Sequence, residues 1–149
     1  MNRYPEAEAE RLRREIARTH DLQPDRIVLA SGAGEILRAA IHELAGPEGT
    51  VVAAAPGYDV FQSMVIRAGC NFRSVRLNDD HSHDLTAMMA ASDSTTRLVY
   101  VCNPNNPTGT LTRRHDIEAF LARPPSHTFV IGRSSSIRRT PGCCARSTR

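Results

Sequence analysis

The chain has 149 residues, of which 40% are hydrophobic and 5% aromatic, and its formal net charge is +3. That length suffices for one ordinary domain with a hydrophobic core. No apolar run approaches the roughly 20 residues that span a membrane, and the first residues lead into a charged segment rather than the apolar core of a secretory signal. We therefore expect a soluble, cytoplasmic protein that does not span a membrane.

The charge is unevenly distributed. All 19 basic residues are arginines, and the chain contains no lysine. Residues 1–131 carry 14 of the arginines and all 16 acidic residues, whereas the 5 arginines after Ile131 have no acidic neighbour. A nucleic-acid site is expected as a basic patch on a folded face. Confinement of the excess charge to one end therefore argues against a nucleic-acid partner.

Cysteine spacing gives no sign of a metal centre. Four cysteines are present, and they form neither a C-x-x-C pair nor a His/Cys cluster at the spacing of zinc ligands. Disulfides are disfavoured without a secretory context. We expect free thiols, with Cys70 and Cys102 semi-buried, and no bound metal.

Hydrophobic periodicity predicts alternating helices and strands. Apolar and small residues among charges predict an amphipathic helix over 6–20, and a short apolar run predicts a buried strand over 27–30. A second helix is predicted over 35–44, and residues 46–49 have the composition of a turn.

The alternation continues to residue 131. Asp84 and Thr112 are the expected N-caps of two later helices. The order of elements predicts an α/β fold with a mostly parallel sheet, helices on both faces and ligands at the carboxyl ends of the strands. The later predicted strands are 50–54, 72–77, 97–102 and 128–131, and the helices between them are 59–68, 84–91 and 112–122.

Two loops at predicted strand ends have the composition of ligand-binding turns. In Ser31–Gly34, glycines before a helix allow backbone N–H groups and the helix dipole to face an anion such as phosphate; the alternative is a close turn that binds nothing. In Pro56-Gly57-Tyr58, an exposed aromatic ring can stack on a flat heteroaromatic ligand. Alternatively, Tyr58 and Phe61 are core residues of the following helix.

The third loop, Asn103–Gly109, is the most specific segment of the chain. Its two prolines, three asparagines and glycine directly after a buried strand predict a rigid, sharply bent loop. Such rigidity suits an amide that must be held in place, and Asn106 can both donate and accept hydrogen bonds. A turn with left-handed asparagines would explain the glycine and one asparagine, but not this density of constrained residues.

These segments resemble a known family. Asn-Asn-Pro-Thr-Gly at 105–109 is similar to a signature of class I and II aminotransferases of the type I pyridoxal-phosphate (PLP) fold. Asn2-Arg3-Tyr4-Pro5, the segment 31–35 and Pro56-x-Tyr58 stand in the family's order and resemble histidinol-phosphate aminotransferases especially. The resemblance covers residues 2–131 and implies part of the large domain of that fold.

The resemblance also implies a cofactor and its contacts. Gly32, Ala33 and Gly34 would bind the phosphate of PLP with their backbone N–H groups. Tyr58 would stack on the pyridine ring, and Asn106 would hydrogen-bond its phenolic oxygen. Tyr4 matches a tyrosine that reaches the phosphate of the neighbouring subunit, which implies a homodimer. The implied substrates are small molecules: an amino acid or amino-phosphate and a 2-oxo acid.

The resemblance stops after Ile131. In the family the strand there ends in an aspartate that pairs with the pyridinium nitrogen, whereas Gly132 is neutral. One inserted G would turn codons for Asp-Glu-Ala into Gly-Arg-Ser, the residues at 132–134, so a reading-frame shift is our hypothesis. A genuine alternative C-terminus is the rival explanation. We expect a partial PLP-binding large domain over 1–131 and a disordered basic tail over 132–149.

The missing lysine bears on activity. Family members hold PLP through a lysine that also moves a proton between carbon atoms, and arginine cannot replace it because arginine stays protonated. We therefore expect a PLP-dependent aminotransferase, present as a truncated chain that is inactive alone. One alternative is a non-catalytic remnant that binds PLP weakly or pairs with an intact homologue. The other is a small α/β protein whose basic tail contacts nucleic acid or an acidic membrane.

Overall fold

The computed structural model describes residues 6–123 and 128–134. Backbone packing divides the chain into two compact units, one ending at Ile36 and one beginning at Leu37. No helix within the described residues is both long and apolar enough to cross a membrane. Tyr4 and residues 135–149 lie outside the described part of the chain, so the role of Tyr4 and the disorder of the tail stay predictions.

The first unit begins with helix α1, Glu6–His20, which coincides with the predicted helix. Its ion pairs join residues one turn apart: Arg13 and Arg14 bind Glu10 at 2.9 and 3.0 Å, and Arg18 binds Glu15. This i,i+3 and i,i+4 spacing stabilises a helix. A short 3-10 turn and the first residues of helix α2, Ala33–Ala40, complete the unit.

The strand predicted over residues 27–30 is wrong. These residues have no regular secondary structure and pair with no strand in the described part of the chain. Val28 is 72% exposed. An apolar run forms a strand only where a partner accepts and donates its backbone hydrogen bonds. Composition alone therefore does not decide the conformation of this segment.

The second unit contains a four-stranded sheet in which all neighbouring strands are parallel, in the order β2-β1-β3-β4. The predicted α/β class and parallel sheet are thereby confirmed. The strands match the predicted ones within one to three residues at each end. They are β1 (Thr50–Ala55), β2 (Asn71–Arg76), β3 (Thr96–Asn103) and β4 (Phe129–Ser134).

Three helices connect the successive parallel strands, and helix α2 precedes the first of these strands. Helix α2 continues into a π-helical turn, Ile41–Ala45. It is followed by α3 (Asp59–Arg67), α4 (Leu85–Ala90) and α5 (Arg114–Ala122).

The two predicted N-caps have different outcomes. The Asp84 carboxylate accepts a 2.8 Å hydrogen bond from the backbone N–H of Ala87, which confirms it as the N-cap of α4. The prediction for Thr112 is wrong, since Arg113 occupies the N-cap position of α5. The Thr112 hydroxyl instead bonds to His83, and a hydroxyl engaged in the core is not available to a helix terminus.

Apolar side chains cover both faces of the sheet, so helices pack on both faces as predicted. On one face, residues of α2, its π-helical extension and α3 meet alternate residues of the two central strands: Leu37, Ile41, Phe61 and Val65 pack with Val51, Ala53, Leu98, Tyr100 and Cys102. On the other face, α4 and α5 meet the intervening strand residues: Leu85, Met88 and Phe120 pack with Val52, Val75, Val99 and Val101.

Strand β4 runs beyond Ile131, pairing Gly132 with Val101 and Ser134 with Asn103. The first three residues of the predicted tail therefore lie in the sheet. Cys70 and Cys102 are free, and both are buried, so the expectation that they are semi-buried is wrong.

Candidate functional site

A cavity of about 400 Å³ lies at the carboxyl ends of β1 and β3, which are neighbours in the sheet. Its volume is in the range of sites for small molecules and cofactors, about 300–1,000 Å³. The loops that follow the two strands form much of its wall, and α3 supplies further side chains. Among the lining residues are Tyr58, Phe61, Gln62, His83, Tyr100, Cys102, Asn105 and Asn106.

Tyr58 and Phe61 have different environments. Tyr58 is half-buried at the N-cap position of α3, and its carbonyl oxygen accepts the N–H of Phe61 at 3.0 Å. Phe61 is 1% exposed and stacks on Tyr100, with ring centroids 3.9 Å apart. Phe61 is therefore a core residue that also reaches the cavity, whereas Tyr58 is a half-buried residue of the cavity wall.

Gly57 gives the loop before Tyr58 its tight turn. A Cβ atom at position 57 would collide with the backbone carbonyl oxygen of Ala54. Because that oxygen belongs to the backbone of β1, it cannot rotate away as a flexible side chain can. The close approach of this loop to the end of β1 thus requires glycine at position 57.

Reciprocal hydrogen bonds close the loop after β3 at its base. The side-chain amide of Asn103 donates to the carbonyl oxygen of Thr112 at 3.1 Å, and the N–H of Thr112 donates back to Oδ1 of Asn103 at 2.9 Å. Further along, the N–H of Asn105 donates to the carbonyl oxygen of Thr110 at 2.9 Å. The predicted rigid bend is therefore built from hydrogen bonds as well as prolines, and it leaves Asn106 exposed on the cavity wall.

Asn105 is the buried member of the Asn105-Asn106 pair, with 2% of its surface exposed. Its Nδ2 donates to the carbonyl oxygen of Pro56 at 3.1 Å and to Oγ1 of Thr108 at 3.0 Å. Its Oδ1 has no hydrogen-bond partner among the described residues. The motif drew attention to Asn106 as the ligand-facing amide and gave no sign that Asn105 joins two loops.

His83 is a cavity residue that the sequence did not indicate, because it lies between the predicted strand 72–77 and the predicted helix 84–91. It is 4% exposed, and this burial lowers the pKa of its imidazole to about 4. A buried histidine in a polar loop has no periodic signal; only its position directly before the helix cap Asp84 set it apart.

The glycine loop of the first unit has the geometry of a helix start. Gly32 has φ +100°, a left-handed conformation that favours glycine, and α2 begins at the next residue. The Glu35 carboxylate accepts the backbone N–H of Ser31 at 2.7 Å. Gly32 and Ala33 are exposed and Gly34 is half-buried, which leaves this helix start accessible.

Within the described residues, no group of His, Cys, Asp and Glu side chains is arranged to hold a metal ion. The cavity is instead lined by aromatic rings, amides and apolar side chains, together with Asp59 and His83. Such a surface can hold a flat, polar organic ring by stacking and directed hydrogen bonds.

Comparison with known proteins agrees with this geometry. The family model for aminotransferase class I and II matches residues 1–131. Histidinol-phosphate aminotransferases of Bacillus velezensis and Listeria innocua are 32% and 34% identical to the chain, each match covering 86% of this chain and 36% of the relative. The crystal structure of the Sinorhizobium meliloti histidinol-phosphate aminotransferase, a complex with pyridoxal-5'-phosphate, is 27% identical with a TM-score of 0.80; the match covers 87% of this chain and 35% of that one.

The chain thus spans little more than a third of the length of these relatives. Its parallel sheet with helices on both faces is part of the type I PLP-transferase fold. With most of the sequence matched by the family model, the chain belongs to the class I and II aminotransferases.

Proposed function

We propose that this chain is the PLP-binding part of an aminotransferase similar to the histidinol-phosphate aminotransferases. The reaction would move an amino group between an amino acid or amino-phosphate and a 2-oxo acid. The observation that carries the proposal is that Tyr58 and Asn106 line one cavity at the carboxyl ends of two parallel strands. Family membership and the PLP complex of the Sinorhizobium meliloti relative support it.

Each candidate residue has a chemical role in this proposal. Tyr58 packs its ring against the pyridine ring, and Asn106 hydrogen-bonds the phenolic oxygen. The backbone N–H groups of Gly32, Ala33 and Gly34 bind the phosphate; the left-handed Gly32 and the start of α2 support this role. Tyr4 would contact the phosphate of a second subunit in a homodimer.

The described residues suit the ring of PLP but offer nothing to attach it covalently. When bound, PLP supplies an electron sink for chemistry at the substrate carbon. This chain has no lysine, and Gly132 in β4 is uncharged where the family has an aspartate. We therefore propose that residues 1–131 bind PLP reversibly and that residues 132–149 take no part in binding it. Transfer of the amino group would then need a lysine from outside these 149 residues.

A non-catalytic role is the second candidate, and the absence of lysine favours it. In that role the chain would bind PLP weakly or pair with an intact homologue. Borohydride reduction of the PLP-loaded chain, followed by peptide mapping, tests the shared premise of both candidates. We expect no side chain to retain the cofactor, and a modified side chain would contradict reversible binding. Blocking the N-terminal amine beforehand removes its own reaction with the PLP aldehyde.

Titration with PLP tests the proposed site, with absorbance and tyrosine fluorescence as readouts. We expect Gly34→Asp to weaken PLP binding at least roughly tenfold, because a carboxylate in the first turn of α2 repels the phosphate. Gly34→Asn has nearly the same shape without the charge and should bind PLP much more tightly than Gly34→Asp. Pyridoxal, which lacks the phosphate, should not distinguish the two variants. Equal PLP affinity in both would refute the phosphate assignment.

A further inference from the structure

One side chain joins the loop that carries Tyr58 to the loop that carries Asn106. Asn105 belongs to the second loop, and its Nδ2 donates to the carbonyl oxygen of Pro56 in the first at 3.1 Å. Pro56 precedes Tyr58 by two residues, and Asn105 directly precedes Asn106. A single hydrogen bond therefore spans the two segments proposed to hold the cofactor ring.

Asn105 is itself held firmly within its own loop. Its N–H donates to Thr110 at 2.9 Å, and its carbonyl oxygen accepts the N–H of Gly109 at 2.7 Å. With 2% exposure, the side chain is shielded from water that would compete for Pro56. The hydrogen bond to Pro56 thus couples the positions of the two loops.

The amide can lie in only one orientation. Rotating it by half a turn would set Oδ1 against the carbonyl oxygen of Pro56, and two acceptors repel each other. In the orientation observed, Oδ1 has no partner among the described residues. A buried unsatisfied acceptor offsets much of the stability that the two Nδ2 hydrogen bonds contribute. The net contribution of Asn105 to overall stability is therefore small, while its Nδ2 holds the two loops at hydrogen-bond distance.

We propose that Asn105 is a positioning residue, which sets Asn106 relative to Tyr58 for binding of the pyridine ring without contacting the cofactor itself. The inference rests on the proposed function, since it assigns a role in PLP binding. It adds a residue of a different kind to the site: one that acts through a neighbouring loop.

The test uses the full chain and two separate probes, pyridoxal for the ring and inorganic phosphate for the phosphate loop. The main variant is Asn105→Leu, which nearly keeps the shape, cannot donate to Pro56 and removes the unsatisfied oxygen, so that it should fold. Asn105→Ala is the second variant. Thr108→Ala is the matched control, because it removes the other partner of Nδ2 and leaves the bond to Pro56 in place.

We expect Asn105→Leu to weaken pyridoxal binding about fivefold, the effect of losing one ordinary hydrogen bond, with Asn105→Ala in the same direction. The tyrosine fluorescence that remains at saturating pyridoxal should be higher than in the wild-type chain, because the ring of Tyr58 no longer stacks fully on the pyridine ring. Inorganic phosphate affinity and the circular dichroism spectrum should stay at wild-type values, as should pyridoxal binding to Thr108→Ala.

Wild-type pyridoxal affinity in a natively folded Asn105→Leu would overturn the positioning role. A parallel loss of phosphate affinity would overturn it too, by indicating a general disturbance of the fold. An equal loss in Thr108→Ala would show that the link to Pro56 is not responsible. If the wild-type chain binds neither PLP nor pyridoxal, the proposed function itself fails, a result distinct from the other three.

Discussion

Nδ1 of His83 lies 2.9 Å from the hydroxyl oxygen of Thr112, and the same oxygen accepts the backbone N–H of His83 at 3.0 Å. The pair ties the loop before α4 to the end of the loop that carries Asn106. Since the hydroxyl accepts the backbone N–H, its own proton is available to Nδ1 of a neutral imidazole. Burial favours that neutral form.

Stability should fall as the pH is lowered from 6.5 towards 4. The unfolded imidazole binds a proton near pH 6.5, whereas the folded one does so only near pH 4, because burial lowers its pKa. Below pH 6.5 the unfolded state therefore binds more protons than the folded state. The free energy of unfolding falls as a result, by up to about 3 kcal/mol. Urea unfolding at pH 7.5, 5.5 and 4.5 measures the loss. His83→Gln should remove most of this dependence; an unchanged slope in that variant would contradict the assignment.

Gly57→Ala should destabilise the chain by about 3 kcal/mol, because the new Cβ collides with the backbone carbonyl of Ala54. Gly69→Ala is the matched comparison. Gly69 has φ +74° and open space around the added atom, so that only backbone strain of about 1 kcal/mol is expected there. Thermal and urea unfolding of both variants decide the point. Equal losses would mean that the loop at Gly57 relaxes without difficulty.

Tyr58→Leu should weaken pyridoxal binding roughly three- to tenfold, since stacking of aromatic rings contributes about 0.5–1.5 kcal/mol. Tyr58→Phe keeps the ring and should retain most of the affinity. Fluorescence is unsuitable here because it depends on the tyrosine, so absorbance titration or calorimetry is the measurement. Comparable affinities for the Leu and Phe variants would remove Tyr58 from the ring contact.

Asp84→Ala should lower the free energy of unfolding by about 1 kcal/mol, the usual contribution of an N-cap side chain. The carboxylate accepts the N–H of Ala87 at 2.8 Å, and Ala offers no acceptor. Asp84→Asn keeps an acceptor oxygen and should lose much less. Urea unfolding at neutral pH compares the three proteins, and a full loss in the Asn variant would point to charge rather than capping.

Much of the fold could be predicted from the sequence because its signals are local. The period of α1, the cap at Asp84 and the apolar run of β3 each reflect the preferences of a few neighbouring residues. The segment 27–30 shows the limit of such signals. Its composition resembles that of β1, but a strand exists only where another strand bonds to it, and no described strand does so.

Likewise, the sequence by itself determined the chemical groups on which the proposed function depends: the glycines at the start of α2, the ring of Tyr58 and the amide of Asn106, together with the absence of lysine. Tertiary structure decided which residues meet. Phe61 packs in the core against Tyr100. Thr112 does not cap a helix but bonds to His83. Asn105 bonds to Pro56, which is 49 residues away along the chain. Contacts at that separation depend on how β1 and β3 pair in the sheet, and no local pattern encodes that pairing.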